Sequence, residues 1–138
     1  MLYLESAKEE INMTRKSDAG DDRKVLSQNG RHSRNKGKRG EREVAKIFQK
    51  AGFPARRSVQ YNGRPGTAAD VVGVPGLHIE VKLVERESIR AWYRQAEMDA
   101  SASQEQEIPI VVHKKSREPW LVTLSLDDFV KLIRSEEE

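Results

Sequence analysis

Residues 77–84 read "LHIEVKLV". Side chains of a strand alternate between its two faces, so Leu77, Ile79, Val81 and Leu83 share one face while His78, Glu80 and Lys82 share the other. This strict period, with its β-branched residues, predicts a strand whose apolar face looks into the core and whose ionic face looks out of it. A Glu-X-Lys step alone says little, because polar outsiders on a half-solvated sheet are ordinary. Its neighbours in the chain give it meaning.

Immediately upstream, "DVVG" (70–73) is a second apolar run, joined to the first by "VPG" (74–76). The pair predicts a hairpin. Such a hairpin brings Asp70 and Glu80 to one place on the sheet. Converging carboxylates repel unless a cation lies between them, and an all-oxygen donor set suits Mg²⁺ or Mn²⁺. A lysine beside them can orient water or offset charge developing on a phosphate. The residues thus point to a metal-assisted phosphodiesterase site.

Further elements follow from period and punctuation. Val44, Ile47, Phe48 and Ala51 fall at i, i+3, i+4 and i+7, a helix stopped by Gly52 and Pro54. "ARRSVQY" (55–61) reads as a strand and "NGRPGTAA" (62–69) as a loop. Ser88 to Ala102 reads as a second helix, with Ile89, Trp92, Tyr93, Ala96 and Ala100 on its apolar side. "IPIVVHK" (108–114) and "PWLVTLS" (119–125) are strands around a charged turn. A last helix, 127–134, is opened by Ser125 with Asp128 three residues on. The order α-β-β-β-α-β-β-α implies an α/β domain with a mixed central sheet flanked by helices. The first helix also offers a third carboxylate. Glu41 stands near its apolar stripe and Glu43 is a rival, since either acid also suits the first turn of a helix.

Composition sets the limits. The chain has 138 residues, 36% hydrophobic and 34% charged, with a net charge of +3. Its mean hydropathy is -0.77. One modest core is the expectation, arranged as a basic, flexible extension at 1–35 and a folded domain at 36–138. No apolar run approaches the ~20 residues that span a bilayer, and "MLYLESAKEE" lacks the pattern of a secretory signal. The absence of cysteine excludes disulfides, thiolate metal sites and thiol nucleophiles, and fits a cytoplasmic location. Between Arg23 and Arg42 stand Arg23, Lys24, Arg31, Arg34, Lys36, Lys38, Arg39 and Arg42 against Glu41 alone. This positive arm suits a polyanion, and its composition, "SQNGRHSRNKGKRG" (27–40), is that of turns and breakers. Arg56, Arg57 and Arg64 border the glycine-rich loop and suit phosphate contact.

Taken together, "KGKRGEREVAKIFQKAGF" (36–53), "RRS" (56–58), Asp70 and "IEVK" (79–82) resemble the archaeal-type Holliday junction resolvases (Hjc) of the PD-(D/E)XK nuclease superfamily, and their phage-encoded relatives. The resemblance spans about Lys36 to Val84 by motif. It implies a restriction-endonuclease-like α-β-β-β-α-β core and a Mg²⁺-dependent, homodimeric endonuclease, with Mn²⁺ able to substitute, that acts on branched DNA such as a four-way junction. It further implies that Glu41, Asp70, Glu80 and the Val81 carbonyl serve the metal, Lys82 the attacking water, and Arg42 a phosphate, with Gln95 as an accessory group. Ala69 replaces the proline of the superfamily motif. His78 is expected to neighbour the site without being a ligand, His32 and His113 to be incidental, and Trp92 and Tyr93 to be core. Two readings stay open beside this one: a general or flap-directed nuclease for repair or phage DNA processing, and a non-catalytic DNA-binding module of the same fold.

Overall fold

The computed structural model describes residues 30–59 and 69–135. Most of the expected basic extension, and Arg64 in the glycine-rich loop, lie outside them. Residues 1–36 and 37–138 form separate compact units. In the first, residues 30–36 are helical. In the second, helix α1 (37–50) is followed by β1 (Arg56–Arg57), β2 (Val71–Val72), β3 (Leu77–Leu83), helix α2 (Ile89–Ala102), β4 (Ile108–Lys114), β5 (Leu121–Thr123) and helix α3 (Leu126–Ser135). The strands form one mixed sheet in the order β1-β2-β3-β4-β5. Only the β3–β4 pair is parallel. The expected element order and the β2–β3 hairpin are thus observed, with Val71 opposite Ile79.

The expected apolar face of β3 is one side of the core. Ile79 and Val81 pack with Ile110 and Val112 of β4, Val71 of β2, and Val44 and Ala45 of α1, bordered by Phe48 and Trp120. The other face departs from expectation. His78 and Glu80 are buried there rather than facing solvent. The reason is topological: a parallel β3–β4 pair needs a crossover, and here that crossover is α2, which covers the face. Ala96 and Ala100 are its buried residues, and their small size permits a close approach. His113 of β4, expected to be incidental, is buried with its ring 5.7 Å from that of Trp92 and its Nε2 2.9 Å from Thr123 Oγ1. Burial lowers its pKa.

Helix α1 is rotated slightly from the expected stripe. Val44, Ala45 and Phe48 face the sheet, and Ile47 is 48% exposed. A Cβ at Gly40 would lie 3.1 Å from Leu83 Cβ and 3.5 Å from the Trp120 ring, so the hydrogen at that position lets the helix rest on the end of β3. Residues 37–40 are helical where breaker composition predicted turns, because isolated glycines cost only ~1 kcal/mol each against Ala and do not by themselves end a helix. Strand β1 is shorter than "ARRSVQY" suggested, although Ser58 N–H still donates to the Asp70 carbonyl at 2.9 Å.

The hairpin that sets β2 against β3 depends on Gly73. Its φ is +94°, and a Cβ there would lie 2.1 Å from the Pro54 carbonyl oxygen. Left-handed backbone costs an L-residue ~1–2 kcal/mol, and the clash is with backbone that cannot swing aside. Gly73→Ala is expected to lower stability by about 3 kcal/mol or more, seen as a fall in Tm of more than ~10 °C by differential scanning calorimetry.

Candidate active site

Asp70 stands one residue before β2, where that strand starts. Its backbone N–H donates to Ile79 O at 2.9 Å, continuing the ladder, and its side chain does what the next ladder residue would have done: Oδ2 accepts the Val81 N–H at 2.9 Å. The carboxylate is therefore held against the middle of β3. Glu80 is close enough to hydrogen-bond with it, and Glu41 adds its charge from α1. The sequence-derived convergence of Asp70, Glu80 and Glu41 is thus present in the structure.

Its electrostatic cost is visible. Desolvation, and then the charge of Glu80, raise the Asp70 pKa from 3.8 to about 7, against the opposing pull of the Val81 N–H. Each unit is worth ~1.4 kcal/mol, so the displacement takes a sizeable share of the 5–15 kcal/mol that typically holds a domain together. Without a cation, the Asp70 carboxyl keeps its proton up to about pH 7. A divalent ion satisfies both carboxylates at once, and the hard oxygen donors fit Mg²⁺ or Mn²⁺. The donor set therefore fits the metal implied by the sequence. Val81 contributes its N–H to Asp70 and is buried within β3.

The rivalry between Glu41 and Glu43 is resolved by the helix. Glu41 falls within the stripe that includes Val44, Ala45 and Phe48, and it accepts a hydrogen bond from Arg57 Nε of β1. Glu43 points elsewhere. Its Oε1 takes Trp120 Nε1 and Lys114 Nζ, each at 3.0 Å, and these partners hold its carboxyl below the usual range. Glu43 ties α1 to β4 and to the segment before β5, while Glu41 places its charge near Asp70.

Lys82 follows Glu80 on the same face of β3, half-buried, opposite His113 of β4. Among the described residues its ammonium makes no ion pair or hydrogen bond. It is held in place yet uncommitted. Lys38, Arg39 and Arg42 are exposed on the side of α1 turned away from the sheet. Lys46, which the sequence reading passed over, joins them through the i, i+4 series 38, 42, 46. Arg56 is exposed, whereas Arg57 is committed to Glu41. Arg34 and Lys36 belong to the first unit.

His78 lies beside the site, as expected, and also holds one of its acids. Its Nε2 lies 3.0 Å from Glu80 Oε1. Donor atoms of His78, Glu80 and Asp99 of α2 all lie within 4.8 Å of one another. Burial pulls the His78 pKa down, but the hydrogen bond and charge of Glu80, with Glu107 and Asp99, outweigh it and leave it raised. Gln95 is exposed and donates to Asp99 Oδ1 at 3.0 Å, so it touches this cluster only through Asp99. Asp99 gave one sequence signal: it lies one turn beyond Gln95 and one residue before the buried Ala100.

An α/β fold that sets Asp70 beside a Glu-X-Lys on the adjacent strand has the acid pair and lysine of a PD-(D/E)XK nuclease. Residues 32–137 match the family described as "Phage putative PDDEXK endonuclease", and the chain belongs to that family. Among solved structures, the chain is similar to Archaeoglobus fulgidus Hjc, a Holliday junction resolvase from an archaeal hyperthermophile, at 27% identity over 64% of this chain and 76% of that chain, with a TM-score of 0.49. No curated protein matches the chain. Among the described residues, no helix is long and apolar enough to cross a membrane.

The raised Asp70 pKa has a definite sign in stability. Below about pH 4 the carboxyl is protonated in folded and unfolded chains alike, so its burial carries no ionisation penalty. Between pH 4 and about 7 the unfolded chain ionises first, and stability is lost as the pH rises through the folded value. In EDTA, Asp70→Asn is therefore expected to raise Tm over the parent at pH 8 and to differ little from it at pH 4. An unchanged Tm difference across that range would contradict the buried acid pair.

Proposed function

We propose that the chain is a Mg²⁺-dependent endodeoxyribonuclease that cuts four-way DNA junctions by paired symmetric nicks. The observation that carries the nuclease reading is Asp70 and Glu80 held together on adjacent strands with the uncommitted Lys82 beside them. Family membership supports it. The preference for junctions is supported by the motif resemblance in 36–82, and a homodimer supplies the symmetry that such a substrate demands.

Asp70, Glu80, the Val81 carbonyl and Glu41 are the groups that would hold the cation, with Mn²⁺ able to replace Mg²⁺. When bound, it polarises the scissile phosphate and acidifies a water. Lys82 positions the attacking water and offsets charge gathering on the phosphate oxygens. Arg57, released from or shared with Glu41, and Arg56 face the phosphates beside the site, while Lys38, Arg39, Arg42 and Lys46 grip the backbone without reading bases. Arg34, Lys36 and Arg64 are further phosphate-binding candidates by sequence. Gln95 acts at one remove by fixing Asp99. The reaction takes place in the cytoplasm of the host cell.

The test is cleavage of end-labelled four-way junction, flap and linear duplex DNA with Mg²⁺ or EDTA. Paired nicks in the junction alone, abolished by EDTA, are expected. Equal cutting of all three substrates would favour a general nuclease, and binding without cutting would leave a DNA-binding module.

The same assay separates the two glutamates. Glu80→Ala, Asp70→Ala and Lys82→Ala are each expected to lower the cleavage rate by at least ~10³-fold, the scale on which transition-state charge stabilisation acts. Glu41→Ala is expected to reduce it as well. Glu43→Ala should instead lower stability, by roughly 0.5–1.5 kcal/mol for each hydrogen bond lost, seen as a lower Tm, with cleavage near the parent rate below the melting range.

A further inference from the structure

Helix α3 is oriented unlike the other helices of its unit. Its sequence, "LDDFVKLIRS", places Leu126, Phe129, Val130 and Ile133 at i, i+3, i+4 and i+7, a continuous apolar stripe. None of its residues is buried. The stripe is open to solvent, with Leu126 74%, Phe129 47%, Val130 39% and Ile133 47% exposed. The half-buried positions are Asp128 and Leu132, on the opposite side. The helix thus rests on the domain by its narrower side and turns its apolar side away. An isolated ten-residue helix is marginal in water even with good formers, and a contiguous apolar patch of this kind marks a contact surface.

The charges flanking the stripe indicate what covers it. Asp127 and Arg134 are seven residues apart, so they lie on the same flank, one in the first turn and one in the last. When two identical helices pair antiparallel through such a stripe, each flank meets the same flank of its neighbour, end to end reversed. Asp127 of each copy then faces Arg134 of the other, twice over. A parallel pair would set this flank against the opposite one, at Phe129 and Leu132, and give neither charge a partner. The midpoint between these charges falls at 130–131, beside the middle of the stripe, so one two-fold axis serves both the apolar and the ionic matches. The helix dipoles also oppose in this arrangement.

We infer that α3 is the centre of an isologous, two-fold homodimer interface in which a second copy of this chain lies antiparallel against Leu126, Phe129, Val130 and Ile133. The inference takes up the homodimer of the functional reading, but its physical basis is α3 alone. A ten-residue helix supplies less than the ~800 Å² per partner of a standard interface, so the dimer is expected to be concentration-dependent.

Sedimentation velocity of the full chain over a range of concentrations tests it. The parent is expected to pass reversibly from monomer to dimer. Phe129→Glu alters an exposed residue, so its circular dichroism should match the parent while its dimer dissociation constant rises by roughly 100-fold. Asp127→Arg and Arg134→Asp should each weaken the dimer, and the double exchange should restore it. Because the chain has no cysteine, Val130→Cys places a unique thiol near the two-fold axis, and mild oxidation should give a disulfide-linked dimer. A monomeric parent overturns the inference, whether α3 is then covered by residues 1–29 or by nothing. So does a dimer indifferent to Phe129→Glu, or a charge exchange that fails to restore pairing. None of these readouts depends on DNA cleavage, so a failed nuclease assay and a failed dimer remain separate results.

Discussion

Two carboxylates pressed together on neighbouring strands are the constraint around which this domain is arranged. Asp70 and Glu80 would be cheaper apart: desolvation, and then the charge of Glu80, raise the Asp70 pKa. Three features keep them together. The Val81 N–H clamps Asp70 in a ladder position. Gly73 lets the hairpin turn close beneath Pro54. The crossover helix α2 seals the face on which Glu80 lies, and His78 takes one Glu80 oxygen there. Each feature stabilises the strand arrangement, while among the described residues Lys82 stays uncommitted. Stability held in the scaffold and withheld from the site is the usual balance of a preorganised centre.

Much of this was legible from "LHIEVKLV" because a period of two is unambiguous where the chain is β-branched. The hairpin and Asp70 followed from the short apolar run and the glycine-bearing turn. What the strand could not reveal was its second neighbour. Alternation tells which residues share a face, but not whether that face meets water or a helix, and burial of His78 and Glu80 follows from the parallel pairing of β3 with β4, a contact between segments 31 residues apart at Leu77 and Ile108. The role of Asp99 was hidden for the same reason: it meets His78 only after α2 has crossed the sheet. Glu41 and Glu43 were indistinguishable by period because the expected stripe was centred on Val44 and Ile47. Its actual centre lies toward Ala45, which admits Glu41 and leaves Glu43 to Trp120 and Lys114.

Helix α1 resolves a conflict inherent in a site of this kind. Acids that hold a cation repel a polyanion, so a nuclease centre needs positive charge close by but not among its ligands. The period of α1 separates the two. Its sheet-facing side delivers Glu41 to the carboxylates, and its outer side carries Lys38, Arg39, Arg42 and Lys46 in solvent. Lys38 stands nearest Glu41 on the wheel, three residues before it, so the basic face adjoins the acidic one along the helix. Arg57 performs the complementary task from β1, neutralising Glu41 through a direct hydrogen bond. On the function proposed above, a phosphate approaching across α1 would meet cations first and the acid cluster last. Those acids would repel it least with a cation among them, so backbone binding and cation binding would support each other, with the same coupling whichever arrives first.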